Sequence, residues 1–476
     1  MNRTATILVF FFSVFLSPSV IYSQELWGMT NTGGGSDFGT IFKTDSAGGN
    51  AVVKYEFVCE FPGDSACGDL VQAANGKYYG LTASGQSPAG MANEKGVLFE
   101  FDPLSGVYTV KLDFNGIGNG ANPAGSLILG SNAKLYGMTA AGGNSNLGVL
   151  FEFDPATNTF VKLVDLDGNS GATPKGTLLQ SSSGKLYGLT SYGGTSNLGV
   201  LFEYDLVTST YTKKIDFNGV GNGAAPLGAL IEGNAGKLYG LASAGGASGM
   251  GVMFVYDTLS VTLTNVHDFS GIADGATPMG SLLKASTGKL YGMTSGGGAN
   301  GLGVLFTYDV HTNSFAKKTD FVSATGSSPN GSLLEAASGK MYGMTSMGGA
   351  GNFGVIFSYD TASAVYTDMM EFTDTNGSNP KGSLIQGVNG KLYGLTYNGG
   401  ISRNGVLFEF DPSNSTFTDK VDLNQLVREW DWDYLLHTAL SKNMEEKYRF
   451  IPTRGKCHRK KSIRIIYHCC FATEFP

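Results

Sequence analysis

The residues from which catalytic and metal centres are most often assembled are scarce in this chain. Its 476 residues include five histidines, five cysteines and three tryptophans, and only 15% are charged. Before residue 424 the only histidines are His267 and His311, and there is no HExxH pair and no recognisable nucleophile motif. Paired carboxylates brought together by folding stay open as a catalytic reading. The apolar run from Ile7 to Leu16 is too short to cross a bilayer, and the stretch from Trp27 to Leu423 lacks the 3.6-residue periodicity of amphipathic helices. A net charge of −7 argues against nucleic acid as a partner.

Glycine is what the chain has in abundance, 70 residues of it, and it recurs in register. The aromatic of a Leu-Tyr-Gly triplet falls at Trp27, Tyr79, Tyr136, Tyr187, Tyr239, Tyr291, Tyr342 and Tyr393, giving spacings of 52, 57, 51, 52, 52, 51 and 51. Each unit holds four β-prone runs bounded by turn formers, here called strands a to d. In the fourth unit b is Lys185–Thr190, c is Gly199–Tyr204 and d is Thr210–Phe217, and the next unit supplies a at Leu227–Ile231. Strand c is apolar on consecutive residues, Val200, Leu201 and Phe202, as expected of a strand covered on both faces. Four strands in about 50 residues is the spacing of a propeller blade. The fold class expected is therefore all-β, a β-propeller of about eight four-stranded blades. Only seven units carry strand a, so seven blades is the alternative.

Local chemistry supports the same reading. Double glycines such as Gly142-Gly143, Gly193-Gly194, Gly245-Gly246, Gly348-Gly349 and Gly399-Gly400 follow strand b, where positive φ or close approach is expected. Asp102, Asp154, Asp205, Asp257, Asp309, Asp360 and Asp411 close strand c, placed to cap a tight c-to-d turn through Asx hydrogen bonds.

Lys-Leu-Tyr-Gly, a double glycine, Phe-Glu-Tyr-Asp and a Thr-x-Thr-Phe/Tyr strand resemble the kelch blade. The Gly-rich version with Asp-Phe-Asn-Gly and Pro-x-Gly-Ser-Leu-Leu resembles the bacterial GloVer tandem repeat of choice-of-anchor surface proteins, over roughly residues 25 to 423. That resemblance implies an exported propeller followed by an anchoring device. It implies no activity and no catalytic residue.

Outside the repeats, residues 1–23 read as a secretory signal peptide, so the mature chain is expected outside the cytoplasm, secreted or at the cell surface, and residues 24–423 form the propeller. The spacing of 57 comes from extra residues in one b-to-c loop, around Pro88 to Glu94. Cys59 and Cys67 are a disulfide candidate, with free thiols the alternative. Residues 424–476 hold ten basic and six acidic side chains, leaving a basic tail on an acidic ring. This tail is read as helical over Asn424–Lys447, disordered or frameshifted. Its Cys457, His458, His468, Cys469 and Cys470 are zinc-type residues at spacings that match no established finger.

Function is expected of a binding or scaffold module, with an extracellular glycan or peptide as partner, no cofactor, and a monomeric state. The alternative is a propeller enzyme, a polysaccharide hydrolase or lyase with its site over the central channel. In an up-and-down blade the b-to-c and d-to-a loops leave from one face, and that face is the expected site. Its candidates are the variable residues Tyr192, Met347, Tyr397 and Asn398 beside the double glycines, and Asn146, Asn197, Asn352 and Asn404 near the starts of strand c. Asp165, Asp167 and Asn169 place oxygens at alternate positions as calcium loops do, but lack the closing Glu of an EF-hand. A turn held by Asx hydrogen bonds is the competing reading there.

Overall fold

The computed structural model describes residues 26–422 apart from 31–39, 45–51, 58–63, 85–94, 106, 388, 401–402 and 404. The signal peptide, the long b-to-c loop, the Cys59–Cys67 pairing, Asn404 and every reading of the tail lie outside the described residues. Among those residues every regular element is a strand. Eight antiparallel sheets succeed one another along the chain, which settles the blade number at eight. Blade 1 contributes three strands among the described residues and the other seven contribute the full a-b-c-d set. Phe42 of blade 1 packs with Leu407 and Leu395 of blade 8, closing the ring.

Blade 4 shows how the sequence makes a blade. Its strands are Leu179–Gln180, Leu186–Thr190, Val200–Asp205 and Thr210–Asp216. Strand c is buried on both faces, with Val200, Leu201 and Phe202 all inaccessible. The Phe202 ring lies across Gly188, its cross-strand partner, where any Cβ would overlap the ring; this is why the triplet ends in glycine. Tyr211 of strand d stacks on Phe202 with ring centroids 5.1 Å apart. Phe217, just past strand d, leaves its own sheet and meets Phe254 of blade 5 edge-on at 5.4 Å. Phe114, Phe269, Phe321 and Phe372 repeat that contact with Phe151, Phe306, Phe357 and Phe408. Burying a phenylalanine between sheets is worth a few kcal/mol, about 3 to 5 on truncation to alanine, so the blades are glued by the Phe of Asp-Phe-Asn-Gly.

The expected strand a, Leu227–Ile231, is corrected. Regular pairing there is confined to Ile231–Glu232, opposite Tyr239 and Leu238, and resumes only as an isolated bridge from Ala224 to Ala244. Between those points residues 225–230 bow away from strand b toward the ring axis. Pro226 has no N–H to give a ladder, and Gly228 is spent on a contact between blades. Gly125, Gly176, Gly228, Gly280 and Gly331 each lie so close to the carbonyl of the next blade's glycine that a Cβ would overlap it. One residue further on, amides donate to hydroxyls of the next blade. Asp69 donates to Ser126 (3.0 Å), Ser126 to Thr177 (3.2 Å), Ala229 to Ser281 (2.9 Å), Ser281 to Ser332 (2.9 Å) and Ser332 to Ser383 (2.8 Å). The Pro-x-Gly-Ser run is therefore the hub of the ring.

Gly331→Val tests the hub, because its new side chain would enter the Gly382 carbonyl. The expected cost is at least about 2 kcal/mol from overpacking, seen as a lowered midpoint in thermal unfolding. Gly184→Ala is the control: φ is +84° with open space around the glycine, so only backbone strain of about 1 kcal/mol is expected.

Candidate functional site

The b-to-c loops are rigidly held. In blade 4 Gly193 and Gly194 have φ of +83° and +76°, as the double glycine predicted. Gly193 donates to Asn197 Oδ1 at 2.9 Å and Gly194 to the Gly168 carbonyl at 2.7 Å. Thr195 donates its amide and hydroxyl to Asp216 at 3.1 and 2.9 Å, and Lys213 pairs with the same carboxylate at 2.9 Å. Blade 3 repeats this with Asn144, Asp165 and Lys162, and blade 6 with Ala299, Asp320 and Lys317.

The calcium candidates take part in the same network. Asp165 is paired to Lys162 at 2.7 Å, Asp167 takes the Ser170 amide and hydroxyl at 2.7 and 2.6 Å, and Asn169 Oδ1 accepts from Lys213 at 3.0 Å. The three side chains serve a turn and an ion pair instead of converging on one point. On the opposite face, Asp205 Oδ1 accepts the Val207 and Thr208 amides at 2.9 and 3.1 Å, and those bonds hold its carboxyl below the usual aspartate range. The aspartates closing strand c are turn caps, as their spacing indicated.

Asn146, Asn197 and Asn352 sit in the left-handed region, with φ of 56°, 55° and 58°. Each Oδ1 accepts the first glycine amide of its loop at 2.9 Å. The residues are exposed, so the side-chain oxygen locks the turn while the amide group lies at the surface. Tyr192, Met347 and Tyr397 are 48%, 47% and 46% exposed. Tyr192, Met347 and Asn398 hold equivalent places, bridged to Ala172, Ser327 and Ser378. Tyr397 is one residue earlier, at the place of Ser191, Ser243, Ser295 and Ser346; Ser191 donates to the Pro226 carbonyl of the next blade, and the other three donate to Ala225, Thr277 and Ser328 in their own blade's inner segment. Tyr192 in blade 4 and Tyr397 in blade 8 are four blades apart, on opposite sides of the ring. Met347 and Tyr397 are on neighbouring blades. The candidates thus ring the loop face and do not gather at one point.

Sequence reasoning passed over the channel mouth. A cavity of about 400 Å³ lies on the axis, lined by the Pro-x-Gly-Ser runs. Its glycines and hydroxyls repeat, but the x residue varies: Ala124, Lys175, Leu227, Met279, Asn330 and Lys381. The signal was present as the one unconserved letter between two invariant ones within the internal repeats. Lys381 Nζ stands 3.6 Å above the Tyr397 ring, a cation–π contact that joins the channel lining to the loop face. Lys175 and Lys381 face each other across the ring from blades 4 and 8. Among the described residues the lining contains no carboxylate and no imidazole.

Also unforeseen is a buried triad in four blades. Lys185 and Tyr187 of strand b both donate to Glu203 of strand c, at 2.8 and 2.6 Å, and Lys214 lies 3.2 Å from it. Burial works against the Glu203 carboxylate, yet its three donors outweigh that and hold it below the usual range. The same set recurs at Lys77, Tyr79 and Glu100, at Lys134, Tyr136 and Glu152, and at Lys391, Tyr393 and Glu409. Its repetition in four separate blades marks it as architecture. His267 is similarly occupied: its ring stacks on Phe315 of blade 6 at 3.4 Å and Nε2 is 2.8 Å from Asp274.

Blade 7 breaks the loop-pinning pattern. Asp368 stands where blades 3, 4 and 6 have Lys162, Lys213 and Lys317, close to Glu371, and its Oδ1 is buried without a partner among the described residues. Burial first, and Glu371 second, push its carboxyl up to about 6 from 3.8. The fold therefore favours the protonated acid, whose contribution is complete below about pH 4 and is lost as pH rises through about 6. Unfolding free energy should fall by about 1 kcal/mol over that window, after allowance for solvent screening at a partly exposed site. Asp368→Asn should flatten the profile between pH 4 and 6 in denaturant titrations, and Asp368→Lys should raise stability at pH 7 by restoring the ion pair. An unchanged profile in both variants contradicts this account.

The model of the Gloeobacter/Verrucomicrobia repeat family matches residues 19–182, 163–315 and 270–429, three overlapping spans that cover the ring. No curated protein sequence matches. Among solved structures, a putative 6-phosphogluconolactonase from Bacteroides uniformis ATCC 8492 is 15% identical with a TM-score of 0.46, covering 71% of this chain and 94% of its own. An oligogalacturonate lyase in complex with manganese is 11% identical at 0.45, over 81% of this chain and 97% of its own. A nidogen/laminin complex chain is 10% identical at 0.37, over 61% and 92%. From its periodicity, its closed ring of eight blades and a family match running from residue 19 to residue 429, the chain belongs to the Gloeobacter/Verrucomicrobia repeat family.

Proposed function

We propose that the protein is an exported binding or scaffold module and that its partner, a glycan or peptide, docks on the face carrying the b-to-c loops and the channel mouth. One observation carries this reading. The frame repeats almost residue for residue, whereas side chains differ from blade to blade on this face: the exposed Tyr192, Met347, Tyr397 and Asn398 on the loops, and in the channel the exposed Lys175 and Lys381 with the half-buried Met279 and Asn330. A rigid scaffold with variable loops can present one particular surface. Exposed aromatics and amides suit the faces and hydroxyls of sugars or the backbone of an extended peptide, and the two lysines favour ligands that carry carboxylates. An enzyme reading would want an acid–base pair over the channel, and the lining supplies glycines, hydroxyls, aliphatics, amides and lysines in its place.

Screening the purified protein on glycan and peptide arrays that include acidic members is the direct test. For the ligand found, Tyr397→Ala and Lys381→Ala should each weaken binding several-fold to about tenfold, the size of one stacking or cation–π contact. Asp205→Ala and Asp309→Ala, in the c-to-d turns of the other face, should leave affinity unchanged. The opposite pattern would place the site on the wrong face.

A further inference from the structure

We propose, resting on the reading above that ligands approach by the loop face, that the axial cavity is a site for a small organic dianion with a carboxylate at each end, held across the channel between Lys175 of blade 4 and Lys381 of blade 8. Three features converge on it. The first is charge. Lys175 and Lys381 hold the same place in their Pro-x-Gly runs, half the ring apart, and both are exposed. Lysines that recur with the blade are neutralised within it, as Lys162 is by Asp165, Lys185 by Glu203, Lys213 by Asp216 and Lys317 by Asp320. Neither channel lysine has a carboxylate partner among the described residues; Lys381 rests on the Tyr397 ring at 3.6 Å. Asp69, the acid of the blade 2 run, accepts the Ser126 hydroxyl at 3.1 Å. Two like charges facing each other across the channel repel, and they focus a positive potential at the axis of a ring that is acidic as a whole. A ligand negative at both ends relieves that repulsion, and a monoanion relieves only part of it.

The second feature is hydrogen bonding. Thr177, Ser281, Ser332 and Ser383 line the cavity, and each hydroxyl accepts an amide of the preceding blade. A hydroxyl that accepts in this way still has its own proton to give. Among the described residues those four protons have no acceptor. Asn330, also in the wall, has its Nδ2 on Ser346 at 3.1 Å. Hydroxyl donors therefore stand along the arc from blade 4 to blade 8, between the two lysines, where carboxylate oxygens can take them.

The third feature is size. A cavity of about 400 Å³ suits a small molecule. Its wall is built on glycines packed against the next blade's backbone, so it cannot widen for a folded partner. The lysine stems are flexible, and the two ammonium groups can adjust to ligands of differing length.

The probes are adipate, hexanoate as its monoanionic counterpart, and a disaccharide of two uronic acids, each titrated calorimetrically into the intact protein. The dianions should bind at least about tenfold more tightly than hexanoate, with the difference shrinking as salt screens the charges, and should raise the thermal midpoint. Lys175→Gln and Lys381→Gln should each weaken adipate at least about tenfold while the midpoint without ligand stays the same or rises, since a repulsion is removed. Lys237→Gln, at the start of a strand b toward the opposite face, should change nothing. Tighter binding of the disaccharide identifies the acids as those of a glycan, and tighter binding of adipate identifies a free dicarboxylate. Equal affinity for adipate and hexanoate, an unaffected Lys175→Gln variant, or no saturable binding of any probe at millimolar concentration overturns the proposal. An array ligand held undiminished by Lys175→Gln overturns it while the face reading stands; adipate binding with no array ligand at all does the reverse.

Discussion

The approach of each inner-strand glycine to the carbonyl of the next blade governs the geometry of the ring. Backbones can come this close only where there is no Cβ, and the contact is repeated at Gly125, Gly176, Gly228, Gly280 and Gly331. The distance it fixes at the axis sets how tightly neighbouring blades converge, and hence how many close the circle. The amide-to-hydroxyl ladder one residue along satisfies inner-segment groups that the bowed chain withdraws from strand b. Farther from the axis, where blades diverge, the space between sheets is filled by Phe114, Phe217, Phe269, Phe321 and Phe372. Small residues at the hub and large ones outside it are two consequences of one wedge shape.

Much of this was legible in the chain. Regular spacing of the Leu-Tyr-Gly aromatics gave the repeat, the consecutive apolar residues of strand c gave its double-sided burial, and Asp205 and its equivalents announced their turns. Positive φ at Gly193 and Gly194 followed from the same logic. Strand a was misjudged because a run such as Leu227–Ile231 has strand-like composition but is diverted by a contact between blades, and tertiary contacts leave no mark on local propensity. The candidate site was legible only in part. Periodicity says which residues share a face but not which lie near each other around a circle, so it could not show that Tyr192 and Tyr397 stand on opposite sides. Asn146, Asn197 and Asn352 were correctly placed in the loops, but nothing in the sequence shows that a side-chain oxygen is already spent on a glycine amide.

The buried triads show where such a frame tolerates change. Removing one member of a buried ionic group strands its partners, which is why such pairs are costly to break singly. Yet Val255, Thr307 and Ser358 replace the triad glutamate in blades 5, 6 and 7 while the strand b lysine and tyrosine persist. The lysine escapes the penalty because it reaches solvent: Lys289 and Lys340 turn instead toward Asp309 and Asp360, at 3.4 and 4.0 Å. A substitution is absorbed when the abandoned partner can reach the surface. The hub glycine has no such exit, since its neighbour is a backbone carbonyl that cannot move without shifting a blade. The same asymmetry separates frame from surface throughout the ring. Residues facing a neighbouring blade's backbone are held to one type, and residues facing the channel mouth or the loop face are free to differ. A duplicated unit under that constraint can diverge only where it meets solvent, so the differences accumulated on one face are what this architecture has available for recognition.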